Sequence, residues 1–414
     1  MSQELHRTAL IVGDYKESLA VVRSLGRAGY KVVVGKPASQ RVSLALHSRY
    51  TSEVWEHPDL QREEQFIPAL LAFLRSRRDV ECVVPVGDAP VSCFARHDSA
   101  LSEFPFFLIA PANAVLRCQD KIQMYETAVR LRIPTAPYVK VWHPAELRDA
   151  AERIGFPCVI KPRYSPNTFM AEKKAVVCKS AADVLELLPA LPYDCPVVVQ
   201  RFISGSRRTA YFIARHGRIT AYFEHRPLRT DHKDGTGIAV ESISVAPTPE
   251  LLSYTARFVE NMQYEGVGTS QFFFHEHTRE VCFLEINPRF GATLALPYHC
   301  GFDIPLMAVR IGEGLVAPAG TRQDYTTEKQ IHCLTGDLLA TWRHIVHHGG
   351  SQRYKLTCVI EVLKSWWNAD YHMTFEWSDP MPTLRFSAKV ATEAASSHVA
   401  WVASALSQLI GLKN

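Results

Sequence analysis

The sequence predicts a mixed α/β chain with more than one domain, and three observations carry that prediction. The chain has 414 residues, more than one ordinary core organises. Residues 8 to 35, TALIVGDYKESLAVVRSLGRAGYKVVVG, run as apolar strand, Gly turn, helix-spaced segment, Gly stop and apolar strand. Residues 281 to 297, VCFLEINPRFGATLALP, alternate with the strand period, setting Glu285, Asn287 and Arg289 against Leu284, Ile286 and Pro288.

Composition narrows the class. Apolar content of 47% and charged content of 21% describe an ordinary globular protein. A net charge of +4, spread along the chain, does not point to nucleic acid. Ten cysteines without a CxxC pair read as reduced thiols. The first residues lack an apolar signal core, and no apolar run approaches ~18 residues, so no transmembrane segment is expected and a cytoplasmic protein is the default.

Each element follows from its local pattern. Leu10 to Val12 make a buried strand, Leu19, Val22 and Leu25 a helical stripe, and Gly29 a helix stop at C′. Right-handed crossover makes this βαβ unit part of a parallel sheet. Its turn lacks GxGxxG, so a dinucleotide is only weakly indicated. Residues 79 to 90 form another buried strand, running into a polar loop at Asp88. Ligands gather at the carboxyl ends of such strands, so Asp88 and Ser18 are candidate substrate contacts, with turn capping the plainer reading of each. Beyond these, residues 120 to 141 read as helix, Pro-marked turn and strand, and residues 156 to 166 as a strand carrying Lys161. Residues 195 to 205 read as a buried strand ending in a loop, and residues 218 to 230 as a strand running into a charged loop. Residues 268 to 290 read as a hairpin with HEHTRE at its turn.

The hairpin carries the chemistry. Cross-strand neighbours would bring Gln271 beside Glu285 and Asn287, an oxygen-rich cluster suited to Mg²⁺. Arg289, one pleat on, could clamp a phosphate or acyl phosphate with two donors. A surface salt bridge between Glu285 and Arg289 is the plain alternative. Lys161, near a strand end, and Lys121, at a helix start, could neutralise nucleotide phosphates, although exposed lysines at such places are common. Gln200, in VVVQRFI, could meet an adenine edge, or simply sit in a core strand. In EHRPLRTDHKDGTG, Arg226 and Arg229 could bind a substrate carboxylate, or belong to a solvated loop, and His225 and His232 could serve as bases.

Taken in order, the DK helix, the VIKP strand, VVVQRFI and above all LEINPRFGA resemble the ATP-grasp superfamily over most of residues 1 to 318. The quartet Gln271, Glu285, Asn287 and Arg289 is most similar to its carbamoyl phosphate synthetase branch. The resemblance implies a Rossmann-like domain over residues 1–115, an ATP-grasp small lobe over 116–192, a large lobe over 193–318 and a C-terminal extension over 319–414. It also implies an ATP-dependent, ADP-forming carboxylate–amine ligase acting through an acyl phosphate, with ATP and Mg²⁺ (or Mn²⁺) as cofactors. Lys121 and Lys161 would contact nucleotide phosphates, and Gln200, Arg201, Phe202 and Ile203 would contact adenine. Gln271, Glu285 and Asn287 would hold metal, and Arg289 with Lys161 would stabilise the transferring group. Small-molecule carboxylate and amine substrates are the implied partners, and a homodimer is compatible.

Three departures from the family pattern stand out. The loop after Lys161, RYSPNTFMAEKK, has no Gly for a backbone cradle. SGSRRTAYF offers Arg207 and Arg208 where an acid commonly holds ribose. Gln271 stands where many relatives use a carboxylate. The departures in the loop and at Gln271 keep a nucleotide-binding protein without catalysis as a competing reading, and a bicarbonate-activating enzyme is a separate alternative.

The last hundred residues are less informative. His344 and His348, four apart, lack further ligands for zinc. An aromatic segment ends in DPMPTL and reads as lid or packing, and residues 391 to 411 read as an amphipathic helix.

Overall fold

The computed structural model describes residues 7–13, 15–39, 43–104, 110–164, 175–191, 196–232, 235–314, 320–349 and 351–388. The expected amphipathic helix at 391 to 411, and most of the Gly-free loop after Lys161, lie outside the described residues, as does the side chain of His348.

The chain begins with β1 (Thr8–Val12), β2 (Lys31–Pro37), β3 (Thr51–His57) and β4 (Val80–Pro85), a parallel sheet of order β3-β2-β1-β4. Both faces are covered, which is why β1 is apolar throughout. Ala9 and Ile11 face Val21, Val22 and Leu25 of the helix Lys16–Arg27. Leu10 and Val12 face Phe66 and Leu70 of the helix Glu63–Ser76. The expected stop at Gly29 is present, with Tyr30 N–H donating to the Leu25 carbonyl at 3.0 Å and Gly29 at a φ of +90°.

A second sheet contains β5 (Tyr138–Val141), β6 (Cys158–Pro162), β7 (Val176–Cys178) and β8 (Val197–Arg201), antiparallel in the order β5-β8-β6-β7. Helices Leu147–Ile154 and Ala181–Leu187 close its core. The third sheet is the largest: β9 (Ser206–Arg215), β10 (Arg218–Thr230), β11 (Ala239–Val245), β12 (Gly266–Phe274), β13 (Val281–Asn287), β14 (Gln330–His332) and β15 (Tyr371–His372). Its order is β13-β12-β9-β10-β11-β14-β15. One face packs Phe212, Tyr222, Phe272 and Phe283 against the helices Lys121–Arg130 and Pro249–Asn261. The other packs Tyr211, Ile213 and Phe223 in one core with the N-terminal helix Lys16–Arg27 and the helix Ile304–Gly312.

Element placement shifts the expected boundaries. Val197–Arg201 was expected in the large lobe, yet it pairs with β5 and β6, so the small sheet runs past residue 192. Lys121–Arg130 packs on the large sheet, because Ile122, Tyr125 and Ala128 face Phe283 and its neighbours. The segment beyond 318 is not separate either. β14 continues the large sheet from β11, and β15 pairs with β14. Asp88 sits at the first position of the helix Asp88–Arg96 and not in a loop. The charged stretch after residue 223 stays in β10 as far as Thr230.

All nine cysteines among the described residues are free and buried. Among those residues, no helix is long and apolar enough to cross a membrane.

Candidate active site

The hairpin register builds the first wall. Gln271 stands directly opposite Glu285, and Thr269 opposite Asn287. The pleat puts Glu285 and Asn287 on one face, and Asn287 Nδ2 donates to Glu285 Oε1 at 2.9 Å. The row continues inward, because Gln271 opposes Thr209 on β9 and Thr209 opposes His225 on β10. Glu285, Gln271, Thr209 and His225 therefore cross four adjacent strands on one face.

β13 ends at Asn287, so Arg289 lies past the strand rather than on its next pleat. Its Nε and Nη2 donate to the two carboxylate oxygens of Asp88, at 2.5 and 3.1 Å, and Nη1 donates to the Phe290 carbonyl at 2.9 Å. Burial works against the Arg289 charge, but Asp88, with Glu17 and Glu285, raises its pKa above the ordinary arginine value. The two residues that sequence reasoning assigned to transfer and to substrate thus meet across 201 positions of chain.

The small sheet supplies a second wall. Lys161 Nζ donates to Gln200 Oε1 at 3.0 Å and to the Tyr125 hydroxyl at 3.3 Å. Gln200 is buried, and its Nε2 has no hydrogen-bond partner among the described residues. Tyr125 is buried, which raises its pKa; Lys161 acts in the opposite sense, and Glu285 is also within electrostatic reach. That reach puts the Lys161 cluster beside the hairpin wall. After β8 the chain turns outward. Arg201 N–H donates to the Pro137 carbonyl at 2.9 Å and Phe202 N–H to the Pro157 carbonyl at 3.2 Å, with both side chains exposed and Ile203 partly so. Lys121 is buried at its helix start, beside the N-cap Asp120, which accepts Ile122 and Gln123 N–H and pairs with Arg163 at 2.6 Å.

The expected substrate contacts separate. Ser18 is fully buried; its Oγ donates to the Gly13 carbonyl at 2.7 Å and accepts Tyr15 N–H at 3.2 Å. It caps the turn, and its hydroxyl is committed there. Arg229 is not offered to a carboxylate substrate. It pairs with Asp337 at 2.9 Å and donates to Ser365 Oγ at 3.0 Å, tying β10 to the helices Leu334–His348 and Gln352–Asn368. Arg226 is half-buried opposite Ile243, and its charge is within electrostatic reach of Glu276. His225 is buried in a chain in which its Nε2 meets Thr293 Oγ1 at 3.0 Å and Thr293 meets the Tyr211 hydroxyl at 2.9 Å. Burial, helped by Arg207, lowers its pKa to about 3, so it is neutral at physiological pH and unsuited to act as a base.

Two contributors escaped sequence reasoning. Tyr125 carries no motif signal. Arg207 does, by alternation: it stands two residues before Thr209 and hence on the same face as Gln271.

Residues 126–293 match the family model described as the ATP-grasp domain. The chain carries an ATP-grasp domain. Over 267 residues it is 23% identical to the carbamoyl phosphate synthase large chain of Lachnoclostridium phytofermentans, covering 60% of this chain and 22% of that one. The chain thus spans under a quarter of that relative. In structure, the chain is similar to the ADP complex of purK, N5-carboxyaminoimidazole ribonucleotide synthetase, with a TM-score of 0.63, 14% identity and coverage of 88% of this chain and 98% of that one. It is also similar to Campylobacter jejuni biotin carboxylase, with a TM-score of 0.61, 15% identity and coverage of 78% and 74%. The structural likenesses establish the fold.

Proposed function

We propose that this ATP-grasp chain is an ADP-forming ligase that activates a carboxylate as an acyl phosphate and passes it to an amine. The observation that carries the reading is the opposed pair Gln271 and Glu285, with Asn287 on the same face and the Lys161 cluster alongside.

The residues fit the groups required. One carboxylate and two amides make an all-oxygen donor set, the preference of a hard divalent cation. Lys161 and the partnerless Nε2 of Gln200 offer donors to a nucleotide at the small-sheet wall. Gln271, Glu285 and Asn287 hold Mg²⁺ or Mn²⁺ in this reading, and the ion supplies charge neutralisation on the phosphate oxygens. Lys161 and Lys121 bind nucleotide phosphates, while Gln200, Arg201, Phe202 and Ile203 border the adenine.

A carboxylate oxygen bonds to the γ-phosphorus as the bond to the bridging oxygen breaks and ADP leaves. The amine nitrogen then bonds to the acyl carbon, inorganic phosphate leaves, and the nitrogen releases one proton. The chain's task is positioning and electrostatic stabilisation. Arg289 presents a permanent cation beside the metal face, oriented by Asp88. Asp88 therefore acts by holding the guanidinium, and Arg226 remains the candidate for a substrate carboxylate.

Activation of bicarbonate is the second reading, favoured by the carbamoyl phosphate synthase and biotin carboxylase likenesses. A screen of amino acids, other carboxylates and bicarbonate for ADP release, with product mass, separates the two. Glu285→Ala is expected to lower Mg·ATP turnover by on the order of 10²-fold or more. Full turnover in that variant would remove the assignment.

A further inference from the structure

We propose that Arg207 grips the γ-phosphoryl group of ATP from the large-sheet side; this rests on the ATP-dependent reading above. Arg207 and Arg208 are consecutive on β9 and point to opposite faces. The charge of Arg208 is satisfied, pairing with Glu276 at 2.8 Å and lying 3.5 Å from Glu224, although its Nε also lacks an acceptor among the described residues. Arg207 differs. Its Nη1 donates to the Gly237 carbonyl at 2.9 Å, its Nε is enclosed without an acceptor, and among the described residues no carboxylate pairs with it. Burial lowers its pKa from the ordinary arginine value, and Glu285 and Asp231 offset this only in part. A half-buried guanidinium whose enclosed Nε lacks an acceptor, and whose nearby carboxylates offset its burial only in part, is relieved by an anion.

Position says which anion. Thr209 opposes Gln271, so Arg207 shares the face of Gln271 and Glu285. Glu285 is within electrostatic reach both of Tyr125, which holds Lys161, and of Arg207. Lys161 on the small sheet and Arg207 on the large thus belong to the surroundings of the carboxylate assigned to the metal. A triphosphate bound at Lys161 and running past the metal presents its terminal group to Arg207. A second partnerless atom lies next to that place. His225 opposes Thr209, so it is the diagonal neighbour of Arg207 on the same face, and its Nδ1 has no partner. His225 is neutral, so it adds no positive charge beside Arg207. The arginine that departs from the family's usual acid thereby gains a task.

The test is calorimetric binding of the β,γ-imido analogue of Mg·ATP, and separately of Mg·ADP, to the full chain. Arg207→Gln is expected to weaken triphosphate binding about 10- to 100-fold, as for loss of a charged hydrogen bond, and to leave Mg·ADP affinity unchanged. Arg207→Lys keeps a cation and a donor toward Gly237, and should fall between. Equal losses for both nucleotides, or an unchanged triphosphate-to-diphosphate ratio, would overturn the proposal. Should Arg207→Gln fail to fold, a wild-type ratio in Arg207→Lys would overturn it as well. Wild-type protein that binds neither nucleotide would instead remove the ATP-dependent reading itself.

Discussion

Arg23 and Lys161 are both cations held inside this protein, and their surroundings differ in kind. Arg23, in the N-terminal layer, is buried against Asp379 with Nε to Oδ2 at 3.0 Å, and its Nη2 reaches the Asp379 carbonyl at 2.7 Å. Asp379 also accepts Ser48 Oγ at 2.7 Å and Arg49 N–H at 2.9 Å. Charge is met by charge, and the result is a seam fastening the last described residues to the first sheet. Among the described residues, Lys161 donates to neutral acceptors, a Gln200 amide and a Tyr125 hydroxyl. Arg207 likewise donates to a backbone carbonyl, with Glu285 and Asp231 only partly offsetting its burial. A closed network holds the fold, whereas a cation with neutral partners keeps its charge available for a ligand.

That contrast can be broken at either end. Asp379→Ala leaves the buried Arg23 with Glu376 at 3.4 Å and strands Ser48 and Arg49 N–H, and should cost about 3 kcal/mol of stability, the low end for a broken buried pair. Urea unfolding measures it, and the folded variant should bind Mg·ATP as the wild type does. A loss of nucleotide affinity without a loss of stability would invert the roles of the two regions. Lys161→Ala should show the reverse pattern, weakening Mg·ATP binding by roughly 1.5–3 kcal/mol while the unfolding midpoint stays near wild type. Unchanged affinity would make Lys161 an ordinary strand-end lysine.

The sequence exposed the parts of this molecule that obey local rules. Alternation at 284 to 287 put Glu285 and Asn287 on one face, but the turn at 275–280 alone would set Gln271 against Leu284, and it is a register shift between Gln271 and Phe272 that brings Gln271 opposite Glu285. Gly29 marked its helix end because a Schellman-type stop needs a positive φ. What failed was long-range. Nothing near Asp88 announces that Arg289 will meet it, and a polar residue after a buried strand looks alike whether it caps, pairs or binds. Arg229 appeared free in its own segment, since its partner Asp337 comes 108 residues later. VVVQR was read with the large lobe because a fully apolar strand fits the middle of either sheet. DPMPTL looked like lid or packing, yet its aspartate is the anchor for Arg23.

The central claim is that the face built by Gln271, Glu285 and Asn287 directs phosphoryl transfer from ATP to a carboxylate. The direct measurement follows oxygen. Carboxylates labelled with ¹⁸O, bicarbonate among them, are incubated with Mg·ATP, the protein and an amine, and the inorganic phosphate is weighed by mass spectrometry. An acyl phosphate hands one carboxylate oxygen to the departing phosphate, so label is expected there with the true substrate, in step with ADP. ADP accompanied only by unlabelled phosphate would mean plain hydrolysis and would contradict the account.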